Sequence, residues 1–308
     1  MHFDDLTPAL LEEALPELRP IRFIGAGGQK RVYACNYQGQ VYALKVHFIG
    51  KKAADESSPA ATITDPGVDT AIARAKRAVE ILRRCSGGSL ARVGPVDVTV
   101  FEVQDVQLMY YLEEFIDGVD LKTDLAKNGP WTPAEIRRVG LALIEAIKEL
   151  WECGAVHRDI KPANIIRRTA DGSFVLIDID LALDLHGDSL TVPGGIAGTK
   201  QYLSPEQLEV ESKRSLDFRS DLFNVGVVMY ELATGENPFW EPGTSLATGM
   251  SRIREFNPPS PKDRDPKFPS DLSDFIMRLL AKKPHLRFRS CDSARKALEK
   301  VDIEVVSE

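Results

Sequence analysis

The apolar residues of this chain are spaced for strands in its first third and for helices after that. From Pro20 to about Glu114, β-branched and aromatic residues fall in short runs. RPIRFIGAGGQKRVYACNYQGQVYALKVHF sets them on both sides of a glycine cluster and of a QG turn, which predicts strands joined by hairpins. The stretch GKKAADESSPAATITDPGVDT is polar and proline-bearing, and it reads as a mobile insert over about 50–69. In TAIARAKRAVEILRRC, residues 70–85, Ile72, Ala75, Val79 and Leu82 share one helical stripe, with Ala78 beside them. Beyond Gly118 the chain turns helical. WTPAEIRRVGLALIEAIKELWECG opens with Thr132, Pro133 and Glu135, a capping-box spacing with proline at the first helical position. Segments 220–234 and 270–283 also read as helices, and there is no internal repeat.

Composition adds limits to this picture. The 308 residues are 43% apolar and 28% charged, a globular balance with room for two lobes. A net charge of −7 argues against a nucleic-acid binder that works through bulk positive charge. The four cysteines, Cys35, Cys85, Cys153 and Cys291, are far apart and form no C-x-x-C pair. They suggest neither a zinc site nor a dense disulfide framework. A reduced, cytoplasmic protein is expected, with two long-range bridges as the alternative. The start, MHFDDLTPALLEEALPEL, is acidic and proline-interrupted, unlike a secretion signal. No apolar run approaches the roughly 20 residues that cross a bilayer as a helix, so no membrane partner is expected.

Candidate chemistry sits in two places. VLIDIDLAL, residues 175–183, ends an apolar run on Asp178 and Asp180, which an extended chain points to the same face. HRDIKPANII, residues 157–166, packs Asp159, Lys161 and Asn164 into a short proline-containing loop after a long helix. A carboxylate beside a cation and a carboxamide can orient a hydroxyl, neutralise phosphate charge and ligate magnesium.

That loop resembles the catalytic loop of the eukaryotic-type protein kinases. Other motifs of the family follow in order across residues 20–298. IGAGGQKRVY resembles its glycine-rich loop, with Gly25, Ala26, Gly27, Gly28 and Val32 implied to face the nucleotide. VYALKV carries Lys45, implied to hold the α- and β-phosphates. Asp178 follows Asp159 by 19 residues and falls at the magnesium position. GTKQYLSPE resembles the peptide-positioning segment, with Ser204 where alanine is usual, and Glu206 is implied to pair with Arg287. SDLFNVGVVMYELATGENPF resembles the buried central helix whose aspartate, here Asp221, ties to the catalytic loop.

The resemblance implies an α+β, bilobal fold, with a small β-rich N-lobe carrying one main helix and a larger helical C-lobe. Its expected parts are a leader over 1–19, an N-lobe over 20–114, a hinge and C-lobe over 115–300 and a tail over 301–308. It also implies roles. Asp159 steers the substrate hydroxyl's proton, Lys161 offsets charge on the moving phosphoryl group, and Asn164 and Asp178 hold magnesium. Glu114 matches the hinge acid and Asp120 a ribose-binding position, although an aspartate capping the next helix reads the same. The implied function is a serine/threonine kinase, a transferase using ATP with Mg2+ (Mn2+ as a substitute), and itself a phosphoprotein. Its partners would be protein substrates, which the sequence does not identify, and it leaves the oligomeric state open.

The sequence departs from the family pattern at several positions. Ile179 and Asp180 stand where phenylalanine and glycine are usual, so Asp180 is expected to be solvated or hydrogen-bonded rather than a second metal ligand. Counting back from Leu82, the glutamate that usually pairs with the lysine is replaced by Ala78, and Glu80 lies about 200° around the helix. Either the helix is rotated, an acid such as Asp69 substitutes, or Lys45 has only phosphate and Asp178 to pair with. Glu113 falls at the back of the adenine pocket, where a buried carboxylate needs a partner and would compensate for the missing glutamate. Lys30 replaces the third glycine. Arg158 resembles the arginine that receives an activation-segment phosphate, and the regulatory candidates in that segment are Ser189, Thr191 and Thr199. The alternatives to an active kinase are a pseudokinase scaffold and, less favoured, a small-molecule kinase.

Overall fold

The computed structural model of the chain describes residues 3–27, 30–51, 66–185, 199–209 and 216–303. They divide into two compact units, Met1–Ser86 with Ala91–Ile116, and Gly87–Leu90 with Asp117–Glu308.

The first unit holds α1 (Pro8–Ala14), β1 (Ile21–Gly27), β2 (Lys30–Tyr37), β3 (Gln40–Lys51), α2 (Pro66–Arg84), β4 (Thr99–Val103) and β5 (Val106–Glu114). Its strands form one antiparallel sheet in the order β1-β2-β3-β5-β4. The QG turn is a two-residue hairpin between Tyr37 and Gln40, with φ of 51° at Gln38 and 85° at Gly39. Positive φ at both central residues matches the right-handed twist of the flanking strands, and glycine adopts it without strain.

Strand β5 shows why the sheet is covered on both faces. Leu108, Tyr110 and Leu112 join one buried cluster, and the alternating Met109 and Tyr111 join another. The second cluster is closed by Ala75 and Val79 of α2. The first is closed by Leu6, Leu11, Leu15 and Leu18, each 5% exposed or less. Within the stretch expected as a separate leader, residues 6–18 therefore contribute to the core of the first unit. Polar links reinforce the docking: the Tyr33 hydroxyl donates to the Leu6 carbonyl at 2.8 Å, and Arg31 donates to the Asp4 carbonyl at 2.7 Å. The insert expected over 50–69 is shortened at both ends, because β3 continues through Lys51 and α2 begins at Pro66. Residues 52–65 lie outside the described part.

The second unit begins with β6 (Gly118–Asp120), α3 (Leu121–Asn128), α4 (Pro133–Glu152) and β7 (Ala155–Val156). Next come β8 (Ile165–Arg168), β9 (Phe174–Leu176) and β10 (Leu183–Asp184). Helices α5 (Phe218–Thr234), α6 (Leu246–Glu255), α7 (Pro261–Arg264), α8 (Ser270–Leu279) and α9 (Cys291–Glu299) complete it. The capping box at Thr132 and Glu135 forms as its spacing predicts. Helix α8 stops at Leu279, short of the expected 283, since Pro284 disfavours helical geometry in the residue before it. Helix α5 is buried nearly all round, with Leu222, Phe223, Val225, Val227, Val228 and Met229 at 0% exposure. Gly226 allows α8 to approach, because a Cβ there would lie 2.8 Å from that of Leu279. Among the described residues the tail is not wholly free: Val301 is buried and its carbonyl accepts from Arg137 at 3.2 Å. The expected α+β architecture, a β-rich unit with one main helix and a larger helical unit, is the one observed.

Because Leu11 is fully buried under the sheet, Leu11→Ala should lower stability by about 2–5 kcal/mol through lost burial and a residual cavity. Urea denaturation would show this as a lower midpoint. A midpoint unchanged from wild type would mean that the first 19 residues do not belong to the core.

Candidate active site

The loop that carries Asp159 is fixed from below by α5. Asp221 is 1% exposed, and its carboxylate accepts from the His157 amide at 2.8 Å and the Arg158 amide at 2.9 Å. Burial pushes this carboxyl up to about 7, against the pull of those amide bonds. Arg158 has φ 71°, which a non-glycine residue holds only when its surroundings over-determine it. The Gln207 side chain adds a bond, donating Nε2 to the Arg158 carbonyl at 3.0 Å. His157 is fully buried, which lowers its pKa, and its Nδ1 accepts from the Asp159 amide at 3.2 Å.

On this base, four side chains converge. Asp159 Oδ2 accepts from Lys161 Nζ at 2.7 Å and from Asn164 Nδ2 at 3.2 Å. Asp159 Oδ1 accepts from the Thr199 amide at 2.7 Å, and Lys161 Nζ also donates to the Thr199 hydroxyl at 2.5 Å. Thr199, grouped above with the regulatory candidates, therefore stands among the catalytic ones. Ser189 and Thr191 lie outside the described residues.

Asn164 donates Nδ2 to the Asp159 carbonyl as well, at 3.0 Å, which leaves its carboxamide oxygen as an available acceptor. Ile177 donates its amide to the Asn164 carbonyl at 2.8 Å, so the backbone sets Asp178 beside Asn164. An amide oxygen and a carboxylate suit a small hard cation that completes its shell with water and phosphate oxygens. Among the described residues no group of three or more His, Cys, Asp or Glu side chains could hold a metal by itself. In the Asp178-Ile179-Asp180 triplet, the left-handed residue is Asp178, with φ 70°. Asp180, in the place of a glycine, is half-buried and has no positive φ, so the substitution costs no backbone strain in this arrangement. Ile179, in the place of the phenylalanine, is buried at 2% exposure.

In the first unit, Gly25, Ala26 and Gly27 end β1, and Val32 of β2 pairs in register with both Gly25 and Lys45. A Cβ added at Gly25 or Gly27 would touch nothing, so protein packing does not explain those glycines. Gly28 lies outside the described residues. Lys45 is 4% exposed, and its Nζ lies 2.6 Å from Glu113 Oε1 of β5. Within 71–84 the one carboxylate of α2 is Glu80, and it is exposed; the side chain of Asp69 lies outside the described part. Glu113, which the sequence offered as a compensating carboxylate, does contact Lys45. Glu114 donates its amide to the Arg92 carbonyl at 2.8 Å. In the second unit, Asp120 caps α3, accepting from the Thr123 amide at 2.9 Å and hydroxyl at 2.7 Å.

The expected pair of Glu206 and Arg287 forms, bidentate at 2.6 and 3.0 Å, with the Arg287 side chain at 0% exposure. Two contacts escaped sequence reasoning. Ser204 replaces alanine because its buried hydroxyl meets that of Ser220 at 2.7 Å, and Tyr202 donates to Glu231 at 2.7 Å. Both link the 199–209 segment to α5, and paired serines 16 residues apart carry no sequence signal that would have announced them.

The chain belongs to the protein kinase family: the profile of the protein kinase domain matches residues 18–300. Its relatives include the serine/threonine-protein kinase PknB of Mycobacterium tuberculosis, 32% identical over 226 residues, covering 71% of this chain and 35% of the relative. A probable serine/threonine-protein kinase of Streptomyces coelicolor, SCO3848, is 30% identical over 295 residues, covering 94% of this chain and 39% of the relative. The chain thus spans little more than a third of the length of these relatives.

Asp221→Ala should leave two buried amides without acceptors at about 1–3 kcal/mol each, less the relief of removing a buried carboxylate. The expected result is a net destabilisation of about 2 kcal/mol, with faster hydrogen exchange at the amides of 157 and 158. Exchange at wild-type rates would show that Asp221 does not hold the loop.

Proposed function

We propose that this chain is a protein serine/threonine kinase that transfers the γ-phosphoryl group of ATP to serine or threonine hydroxyls, its own among them. The observation that carries the reading is the held carboxylate of Asp159, with Lys161, Asn164 and the Thr199 amide on its two oxygens. In the transfer, the acceptor hydroxyl oxygen forms a bond to the γ-phosphorus as the bond to the β,γ-bridging oxygen breaks. ADP leaves with that bond's electrons, and the hydroxyl proton passes to Asp159. Lys161 offsets negative charge on the group in transit, and Lys45 holds the phosphates of ATP. Asn164 and Asp178 would hold Mg2+, or Mn2+ in its place, which when bound neutralises charge on the phosphate oxygens.

Ala78 at the usual position of the helix glutamate favours a pseudokinase, but Glu113 beside Lys45 offsets that argument. All four cysteines are free, and burial pushes the thiols of Cys35 and Cys291 up to about 12, so they resist oxidation. The free cysteines support a reducing, cytoplasmic setting as part of this reading. Protein substrates are its proposed partners, with no nucleic acid or membrane among them. No described helix is long and apolar enough to cross a membrane.

Incubation with Mg–ATP, read by intact mass, should add steps of one phosphate to the wild type and none to Asp159→Asn, which should still fold and bind ATP. Equal phosphate on the two proteins would refute the role given to Asp159. No phosphate on the wild type or on generic protein acceptors, with manganese also tried, would favour the pseudokinase.

A further inference from the structure

We propose that Glu113 is the positioning residue for Lys45, so that strand β5 sets the phosphate-binding lysine; this rests on the kinase reading above. In the β3–β5 ladder, Lys45 pairs with Tyr111 and Ala43 with Glu113. Lys45 and Glu113 are therefore diagonal neighbours, two residues apart on one face of the sheet, where long side chains can meet. That face is the one α2 covers, since it also carries Met109 and Tyr111. The ammonium group also lies 5.7 Å from the centre of the Tyr111 ring. Both charges are nearly out of water, at 4% and 3% side-chain exposure. Two buried charges hold each other only with good geometry, and here the geometry comes from strand register.

The source of the carboxylate changes how the lysine is controlled. In protein kinases whose lysine is paired from the helix, displacing the helix breaks the pair and turns the enzyme off. A carboxylate on β5 has its backbone fixed beside Lys45 by the β3–β5 register, which does not shift when a helix moves, since a one-residue slip would turn a whole strand's side chains to the opposite face. The lysine is preset by the sheet. The small Ala75 and Ala78, 3% and 2% exposed, let the described part of α2 pack closely on that face.

The experiment compares full-length wild type, Glu113→Gln, Glu113→Asp, Lys45→Met and Lys45→Met/Glu113→Gln. The readouts are kcat/KM for Mg–ATP, ATP affinity by calorimetry and melting temperature. Glu113→Gln should lower kcat/KM for ATP about tenfold, as expected for loss of a charge-assisted contact that holds a reacting group. Glu113→Asp should recover part of that loss, and the substitution should have no further effect in the Lys45→Met background. A purely structural role would instead lower activity in both backgrounds, in step with melting temperature. Glu80→Gln and Asp69→Asn should match wild type.

Unchanged kcat/KM in Glu113→Gln, or a gain that marks the pair as a latch withdrawing Lys45, would overturn the proposal. So would a loss in Asp69→Asn with Glu113→Gln silent. Should Glu113→Gln fail to fold, Glu113→Asp decides alone, with wild-type kinetics counting against positioning. If the wild type transfers no phosphate, the kinase reading fails while the affinity arm still applies. Weaker ATP binding by Glu113→Gln then supports the proposal. Unchanged binding, or no binding by wild type, overturns it.

Discussion

A carboxylate buried in the first turn of an apolar helix is costly unless every oxygen is used, and the second unit is arranged around one such group. Asp221 lies in α5 among side chains with no exposed area, and it answers that cost with the amides of His157 and Arg158. The bonds reach outward: they set the backbone at Arg158, which presents Asp159, which is the hub for Lys161, Asn164 and Thr199. The 199–209 segment returns to the same helix through Ser204 with Ser220 and Tyr202 with Glu231. The helix is a rigid base because Gly226 lets α8 pack against it and Arg287 locks Glu206 beside it.

The first unit follows a different rule. Its sheet is covered on both faces, by α2 on one and by the N-terminal leucines on the other. A charge placed between such covers must find its partner within the sheet or its covering. Lys45 finds Glu113, which belongs to a strand instead of the helix where the family's pattern puts it. Alanines on α2 and a glutamate on β5 are thus two sides of one arrangement.

Much of this was legible in sequence, for local reasons. The hairpin at Gln38 and Gly39, the capping box at Thr132 and the loop holding Asp159, Lys161 and Asn164 are each defined by neighbours a few residues apart. The ordered motifs also foretold Asp221 on the catalytic loop and Arg287 on Glu206, contacts that span long stretches of chain. What was not legible came from packing. Nothing in MHFDDLTPALLEEALPEL says that Leu6, Leu11, Leu15 and Leu18 will cover a sheet, because a leucine pattern does not name the surface it meets. That Asp120 caps α3 and that Thr199 bonds to Asp159 and Lys161 were likewise visible only in the folded chain.

The sequence by itself determined the two-part α+β architecture, the family and the identity of the polar groups at its candidate site. Period, turn chemistry and motif spacing are properties of the chain that do not need its folded form. The tertiary structure alone brought Glu113 to Lys45 and decided which residue of the Asp178-Ile179-Asp180 triplet takes the left-handed backbone. It also decided where the first nineteen residues lie. Those outcomes depend on strand register and on the space left between packed elements, and both exist only once distant segments have come together.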